Sequence, residues 1–254
     1  MKHISPDLWL PFLQDIADRG DEIALKFFRA RDLRVERKSD SSPVTMADRQ
    51  IEASARELAE KRGIGICGEE HGVSGTESIR LIIDPIDGTK NFVRGIPIFA
   101  TLLAIEENGE VVAGLVSAPA LKTRWHAARG SGAFCGHRRL NVSQIAILDE
   151  ALLFHGSLSG TGESVPPGLI PLLSRVERTR GFGDFWQHLL VAEGCGEIAI
   201  DATVSAWDIA ALQIIVEEAG GRATGLNGER SIHAGSLLSS NGVLHDAAVA
   251  ALSA

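Results

Sequence analysis

The sequence predicts an α+β protein. Two helical patterns precede the first apolar strand, an Asn-Gly turn joins two strand-like runs in mid-chain, and strand and helix patterns alternate after about residue 145. Ser5-Pro6-Asp7 reads as an N-cap with proline at the first helical position. Leu13, Ile16, Ala17, Ile23, Ala24 and Phe27 then recur at helical spacing, so a first helix runs to about Arg29. Residues 33–38 alternate in part, residues 39–43 form a polar loop, and Thr45 opens a second helix whose apolar face is Ala47, Ile51, Ala55 and Leu58. Residues 64–67 and 81–83 are short apolar strands that stop at acidic residues. Residues 98–105 and 111–117 flank Asn108-Gly109, the pair a tight hairpin prefers, and residues 123–128 add a further antiparallel strand. In the second half, residues 151–154 and 197–200 read as strands and residues 184–193 and 207–219 as helices. There is no repeat, low-complexity tract or flexible linker. The chain is therefore expected to form one domain over 1–254 with two lobes, about 1–145 and 146–254, and its active site in the cleft between them.

The 254 residues carry 33 acidic and 25 basic side chains, a formal charge of −8, which argues against nucleic acid as a partner because its binders concentrate positive charge. The longest mainly apolar stretch, residues 96–105, is far shorter than the ~18 residues that span a bilayer, and residues 1–12 have no signal-peptide core. A cytoplasmic protein with no membrane partner is expected. Cys67, Cys135 and Cys195 form no CxxC pair, and the histidines show neither HxH nor HExxH spacing, so any metal would be held by oxygen.

The most informative segment is Asp84-Pro85-Ile86-Asp87-Gly88-Thr89-Lys90-Asn91-Phe92, directly after an apolar strand. Asp-Pro and Asp-Gly are common turn pairs, yet here two carboxylates leave the end of one buried strand together. Pro85 stiffens the turn and aims both carboxylates and the Ile86 carbonyl at one point, while Gly88 and Thr89 open their N–H groups toward an anion. Oxygen ligands beside an anion cradle suit magnesium and phosphate. Glu69-Glu70 forms a second acidic pair at a strand end. Asp48 and Asp208 each stand three residues after a helix-capping hydroxyl, Thr45 and Ser205, and such a first-turn carboxylate can cap its helix while facing a cation.

These motifs resemble the inositol monophosphatase family of magnesium-dependent phosphomonoesterases over nearly the whole chain. The match runs through Lys38, Pro43-Val44-Thr45 with Asp48, Gly68-Glu69-Glu70, Asp84-Pro85-Ile86-Asp87-Gly88-Thr89 with Asn91-Phe92, Trp207-Asp208 and Glu218-Ala219-Gly220-Gly221. The resemblance implies a layered α/β/α/β/α sandwich, a homodimer, and two or three Mg²⁺ ions, with Mn²⁺ as a substitute, on Glu69, Asp84, the Ile86 carbonyl, Asp87 and Asp208. It also implies a catalytic set of Asp48, Glu69 and Thr89, in which Asp48 and Thr89 handle the attacking water, and it places Asp208 at the substrate as well as the metal. The Gly88 and Thr89 amides are expected to hold the phosphate.

Lys90 after Thr89, and Gly181-Phe182-Gly183-Asp184-Phe185-Trp186 ahead of Leu190-Val191-Ala192-Glu193-Gly194, look like the family's histidinol-phosphatase branch. The phosphate monoester is then L-histidinol phosphate, whose ammonium and imidazole suit Asp184 and Asp201 near Trp186, with Arg180 at the substrate or at a dimer contact. The alternatives are an inositol-1-monophosphatase or a 3′(2′),5′-bisphosphate nucleotidase of the same family, and more remotely a non-catalytic metal- or phosphate-binding relative. Other signals fail in context. Gly63-Ile64-Gly65-Ile66-Cys67-Gly68 matches GxGxxG but runs into a strand, Asp84 and Asp87 are three apart where phospho-aspartate enzymes use two, and no GxSxG is present. His71 reads as an exposed loop residue.

Overall fold

A computed structural model describes residues 6–31, 33–37, 43–75, 78–158 and 165–253. A 3₁₀ turn leads into α1 (Leu10–Phe27), and β1 (Val35–Arg37) pairs with β2 (Pro43–Thr45) ahead of α2 (Met46–Arg62). There follow β3 (Gly65–Gly68), β4 (Gly72–Ser74), β5 (Ile79–Asp87), the one-turn α3 (Thr89–Val93), β6 (Ala100–Glu107), β7 (Glu110–Ala118), β8 (Thr123–Ala128), β9 (Gly132–Cys135) and β10 (Arg138–Arg139). The second half contains β11 (Leu152–His155), α4 (Leu169–Leu173), β12 (Arg178–Gly181), α5 (Asp184–Ala192), β13 (Ile198–Asp201), α6 (Ala206–Glu218), β14 (Arg222–Thr224), β15 (Leu237–Ser240) and α7 (His245–Leu252). Ser5, Lys38 and residues 39–42 of the expected loop lie outside the described residues. Pro43, assigned to that loop, instead begins β2, where a missing N–H is tolerated at a strand's first residue.

Eight strands form one sheet in the order β10-β9-β8-β7-β6-β5-β3-β4, antiparallel except for β3 beside β5, and five form a second in the order β12-β11-β13-β15-β14. Side-chain alternation gives each sheet two apolar faces, and this builds the layers. Leu81, Ile83, Leu103 and Ile105 of the large sheet pack on α1 and α2, while Ile82, Leu102 and Ala104 face α5 and α6. The far face of the small sheet, with Leu153, Ile198 and Leu238, is covered by Leu169, Leu172, Ala248 and Leu252 of α4 and α7. The result is the α/β/α/β/α sandwich. Because α6 lies between two sheets, Ile209 through Val216 are all buried, and Gly114 on β7 makes room for it: a Cβ there would stand 2.5 Å from Ile214 Cγ2.

The Asn108-Gly109 turn joins β6 and β7 with both residues at positive φ, as a two-residue hairpin requires. At the other end of the small sheet, His245 is buried between the Ser240 and Thr224 hydroxyls, at 2.8 and 2.9 Å, and burial with Arg222 nearby depresses its pKa to about 4. The unfolded chain therefore binds about one more proton than the folded chain between pH 6.5 and 4. Thermal stability should fall as pH drops through that window, and His245→Gln should flatten this part of a Tm-against-pH curve. An unchanged slope in the variant would assign the acid sensitivity elsewhere.

Candidate active site

In a regular strand, residues three apart point to opposite faces. Asp84 and Asp87 are brought together because β5 is bulged between them, where Asp84 pairs with Leu102 and Asp87 with Ala100, so three residues advance against two. Pro85 sits inside this bulge, where its missing N–H breaks no ladder bond, and its carbonyl accepts from the Thr101 hydroxyl at 2.8 Å. Asp208 arrives from the first turn of α6. One ligand oxygen each from Asp84, Asp87 and Asp208 lie within 4.8 Å of one another.

Two of these carboxylates are held from behind. The Phe185 N–H at the head of α5 donates to Asp87 Oδ2 at 2.5 Å, and the Ser205 N–H donates to Asp208 Oδ2 at 2.6 Å. Asp84 is only 3% exposed, and its Oδ1 is buried without a hydrogen-bond partner. Burial, then the charges of Glu69, Asp87 and Asp208, push the Asp84 pKa well above the usual carboxylate range. Burial with Asp184 and Asp208 does the same to Asp87, and burial raises Asp208 to about 6. Converging acids with an orphaned buried oxygen fit a hard divalent cation, which would supply the missing partner and offset the repulsion.

Beside this cluster, Asp48 and Thr45 form the expected capping box: the Thr45 N–H and hydroxyl both donate to Asp48 Oδ2, at 2.9 and 2.6 Å. The other oxygen, Oδ1, stands 3.5 Å from Thr89 Oγ1, whose hydroxyl donates to the Ile86 carbonyl at 2.8 Å. Burial raises the Asp48 pKa against the opposing Thr45 bonds. Gly88 occupies the left-handed region with φ 79°, and α3 is pinned behind it by Phe92, which is fully buried against Phe99 and Phe28.

A cavity of about 810 Å³ is lined by Glu69, Asp87, Asp184, Asp201 and Asp208, whereas Asp48, Asp84, Gly88 and Thr89 stand outside its lining. Asp184 is a non-glycine residue at φ 55°, and its Oδ2 accepts from Asn91 Nδ2 at 3.0 Å, which ties the head of α5 to α3. Asp201 Oδ2 stands 2.9 Å from Nε2 of buried His188, whose Nδ1 meets Ser239 Oγ at 2.8 Å. Trp186 is not part of the wall. Phe182 lines the cavity, and Trp186 packs against Phe182 with 4.7 Å between ring centroids. Arg180 is exposed on the edge strand β12, outside the lining, and bonds the Thr179 carbonyl. His71 is 46% exposed and also outside the lining. Sequence reasoning missed His188 and His155, and it quoted Phe182 within the branch signature without giving it a role. For His188 the signal was there: Gln187-His188 interrupts an otherwise apolar helix.

The model of the inositol monophosphatase family matches residues 6–254. The chain belongs to the inositol monophosphatase family. Within it, the chain is 49% identical over 251 residues to a histidinol-phosphatase of Mycobacterium tuberculosis, covering 94% of this chain and 95% of that one. It is 46% identical to a histidinol-phosphatase of Streptomyces coelicolor, covering 91% of each. Among solved structures, an inositol monophosphatase of Thermotoga maritima superposes with a TM-score of 0.85 at 34% identity, covering 96% of both chains. The family resemblance and the layered sandwich read from the motifs are thus borne out. Inositol monophosphatase family members are metal-dependent, and the acidic cluster is the feature such dependence needs. Among the described residues, no helix is long and apolar enough to cross a membrane.

Proposed function

We propose that this chain is a Mg²⁺-dependent phosphomonoesterase that converts L-histidinol phosphate to L-histidinol and phosphate. The observation that carries the substrate is the 49% and 46% identity to two histidinol-phosphatases over more than nine-tenths of the chain, against 34% to the Thermotoga inositol monophosphatase. The cavity supports it: Asp184 and Asp201 supply negative charge and Phe182 an aromatic face for a cationic, imidazole-bearing alcohol.

Glu69, Asp84, Asp87, Asp208 and the Ile86 carbonyl would hold two or three Mg²⁺ ions, since all are hard oxygen donors. When bound, such ions lower the pKa of water toward ~7 and offset phosphate charge, whereas a positioned base alone supplies about 10²–10⁴ of accelerations that reach ~10²¹. The chain's own residues supply orientation. If the Thr89 hydroxyl swings from Ile86 O to Asp48 Oδ1, its oxygen can take a proton from the attacking water as its own hydroxyl proton passes to Asp48. The Gly88 and Thr89 amides hold the phosphate for in-line attack. By the family resemblance the chain works as a homodimer.

A phosphate-release panel with Mg²⁺ tests the reading. Histidinol phosphate should be turned over with the highest kcat/KM, ahead of inositol 1-phosphate and adenosine 3′,5′-bisphosphate, and thorough chelation should abolish turnover until Mg²⁺ or Mn²⁺ is restored. Preference for the inositol ester would replace the substrate while leaving a phosphatase. Undiminished turnover after chelation would remove the metal from the reaction.

A further inference from the structure

Helix α2 carries a second buried carboxylate one turn beyond Asp48. Glu52 is 0% exposed, yet it faces neither the cavity nor solvent. It grips the three-residue turn between β3 and β4, the turn that begins with Glu69. Glu52 Oε2 accepts the Glu70 N–H at 2.7 Å, and Oε1 accepts the His71 N–H at 3.1 Å. Arg56, four residues along the same helix, donates to Oε1 through Nε at 2.9 Å and Nη2 at 2.6 Å. Arg56 also reaches the Gly72 carbonyl at 2.6 Å and the Ser74 hydroxyl at 3.0 Å, so the pair clamps the turn and the returning strand β4.

The approach is close enough to dictate the residue before Glu69. A Cβ on Gly68 would lie 2.3 Å from Glu52 Oε1, so any larger residue there would displace the Glu52 carboxylate from the turn. A buried ion pair of this kind is a weak source of stability, since desolvating two charges consumes much of their attraction. What it does provide is fixed geometry, since Glu52 holds two of the turn's amides in one orientation. Asp48 and Glu52 thus stand four residues apart on one helix, so α2 presets two parts of the site together.

We infer that Glu52 is a positioning residue, which acts through the 69–71 turn to place the Glu69 carboxylate for the divalent cation. The inference rests on the reading of Glu69 as a metal ligand. In Glu52→Gln, one carboxylate oxygen becomes an NH₂ that must oppose either a turn N–H or the Arg56 guanidinium, and the turn is released. Partners standing behind metal ligands typically change metal affinity by about 10–100-fold.

The test is calorimetric titration of Mn²⁺ into metal-free wild type, Glu52→Gln and Glu69→Gln, together with hydrogen exchange of the segment spanning residues 69–74. Glu52→Gln should weaken Mn²⁺ binding by about 10–100-fold and speed exchange in that segment, while its folded fraction keeps a cooperative melt. Glu52→Asp, which keeps the charge but shortens the reach, should fall between it and wild type. If Glu52→Gln fails to fold, Gly68→Ala, which drives a methyl into the same carboxylate, carries the same expectation. Weakened binding in Glu69→Gln with unchanged affinity in the Glu52 variants would overturn the positioning role alone. Unchanged affinity in Glu69→Gln would overturn the ligand reading and this inference with it.

Discussion

Asp87→Asn should weaken divalent-cation binding by at least about 100-fold and lower kcat with it, whereas Thr89→Ala should bind the cation nearly as wild type and lose about 10²–10⁴ in kcat. The two residues are two apart in sequence but have different surroundings. Asp87 is one of three carboxylates converging within 4.8 Å, and Thr89 Oγ1 lies between the Ile86 carbonyl and Asp48. The first substitution removes a charge from the converging carboxylates, and the second removes only the hydroxyl that the proposed mechanism assigns to orienting water. A further sign separates them. Burial and neighbouring acids raise the Asp87 pKa, so its charge destabilises the metal-free fold at neutral pH, and neutralising it should raise the metal-free Tm. Calorimetric titration, single-turnover kinetics and melting of the metal-free proteins decide the matter. Equal loss of metal affinity in both variants would mean that Thr89 is not a water-orienting residue.

Asp184→Asn should raise KM for histidinol phosphate by tens-fold and change inositol 1-phosphate hydrolysis far less. A charge-assisted hydrogen bond is worth about 1.5–3 kcal/mol, which corresponds to that range at room temperature, and the inositol ester has no cation to meet the carboxylate. The structure adds a complication that the measurement can resolve. Asp184 also accepts from Asn91 and lies close enough to Asp87 to raise its pKa. An effect carried through Asp87 and the cation would slow both substrates alike, and an effect on the leaving group would separate them. Parallel kinetics on the two esters, repeated with Asp201→Asn, therefore assign the carboxylate that faces the cationic end. Equal changes on both substrates for both variants would place neither there.

Much of the fold and of the site is legible in the sequence because it is local. Thr45 and Ser205 cap their helices through Asp48 and Asp208 as the spacing implies, and Asn108-Gly109 turns the hairpin. Helices α5 and α6 and strands β8 and β13 stand within about a residue of where periodicity puts them. Small strands such as β9, β12, β14 and β15 are not legible. Each is only three or four residues long, and β12, β14 and β15 pair with strands from which intervening loops or helices separate them.

The sequence by itself pointed to the family, to the acids proposed to serve the site and to the turn that carries two of them, Asp84 and Asp87, because residue type and local spacing encode ligand chemistry directly. Tertiary structure decided how those acids meet. A bulge in β5 turned Asp84 and Asp87 to one side, and α5 closed over Asp87 with the Phe185 amide. Glu52, His188 and Phe182 became part of the site, or of its support, only through packing. The physical reason is burial. A carboxylate such as Glu52 on a helix's buried side looks from sequence like any charged helical residue, and it acquires a role only when a second element 18 residues away brings unpaired amides to its oxygens.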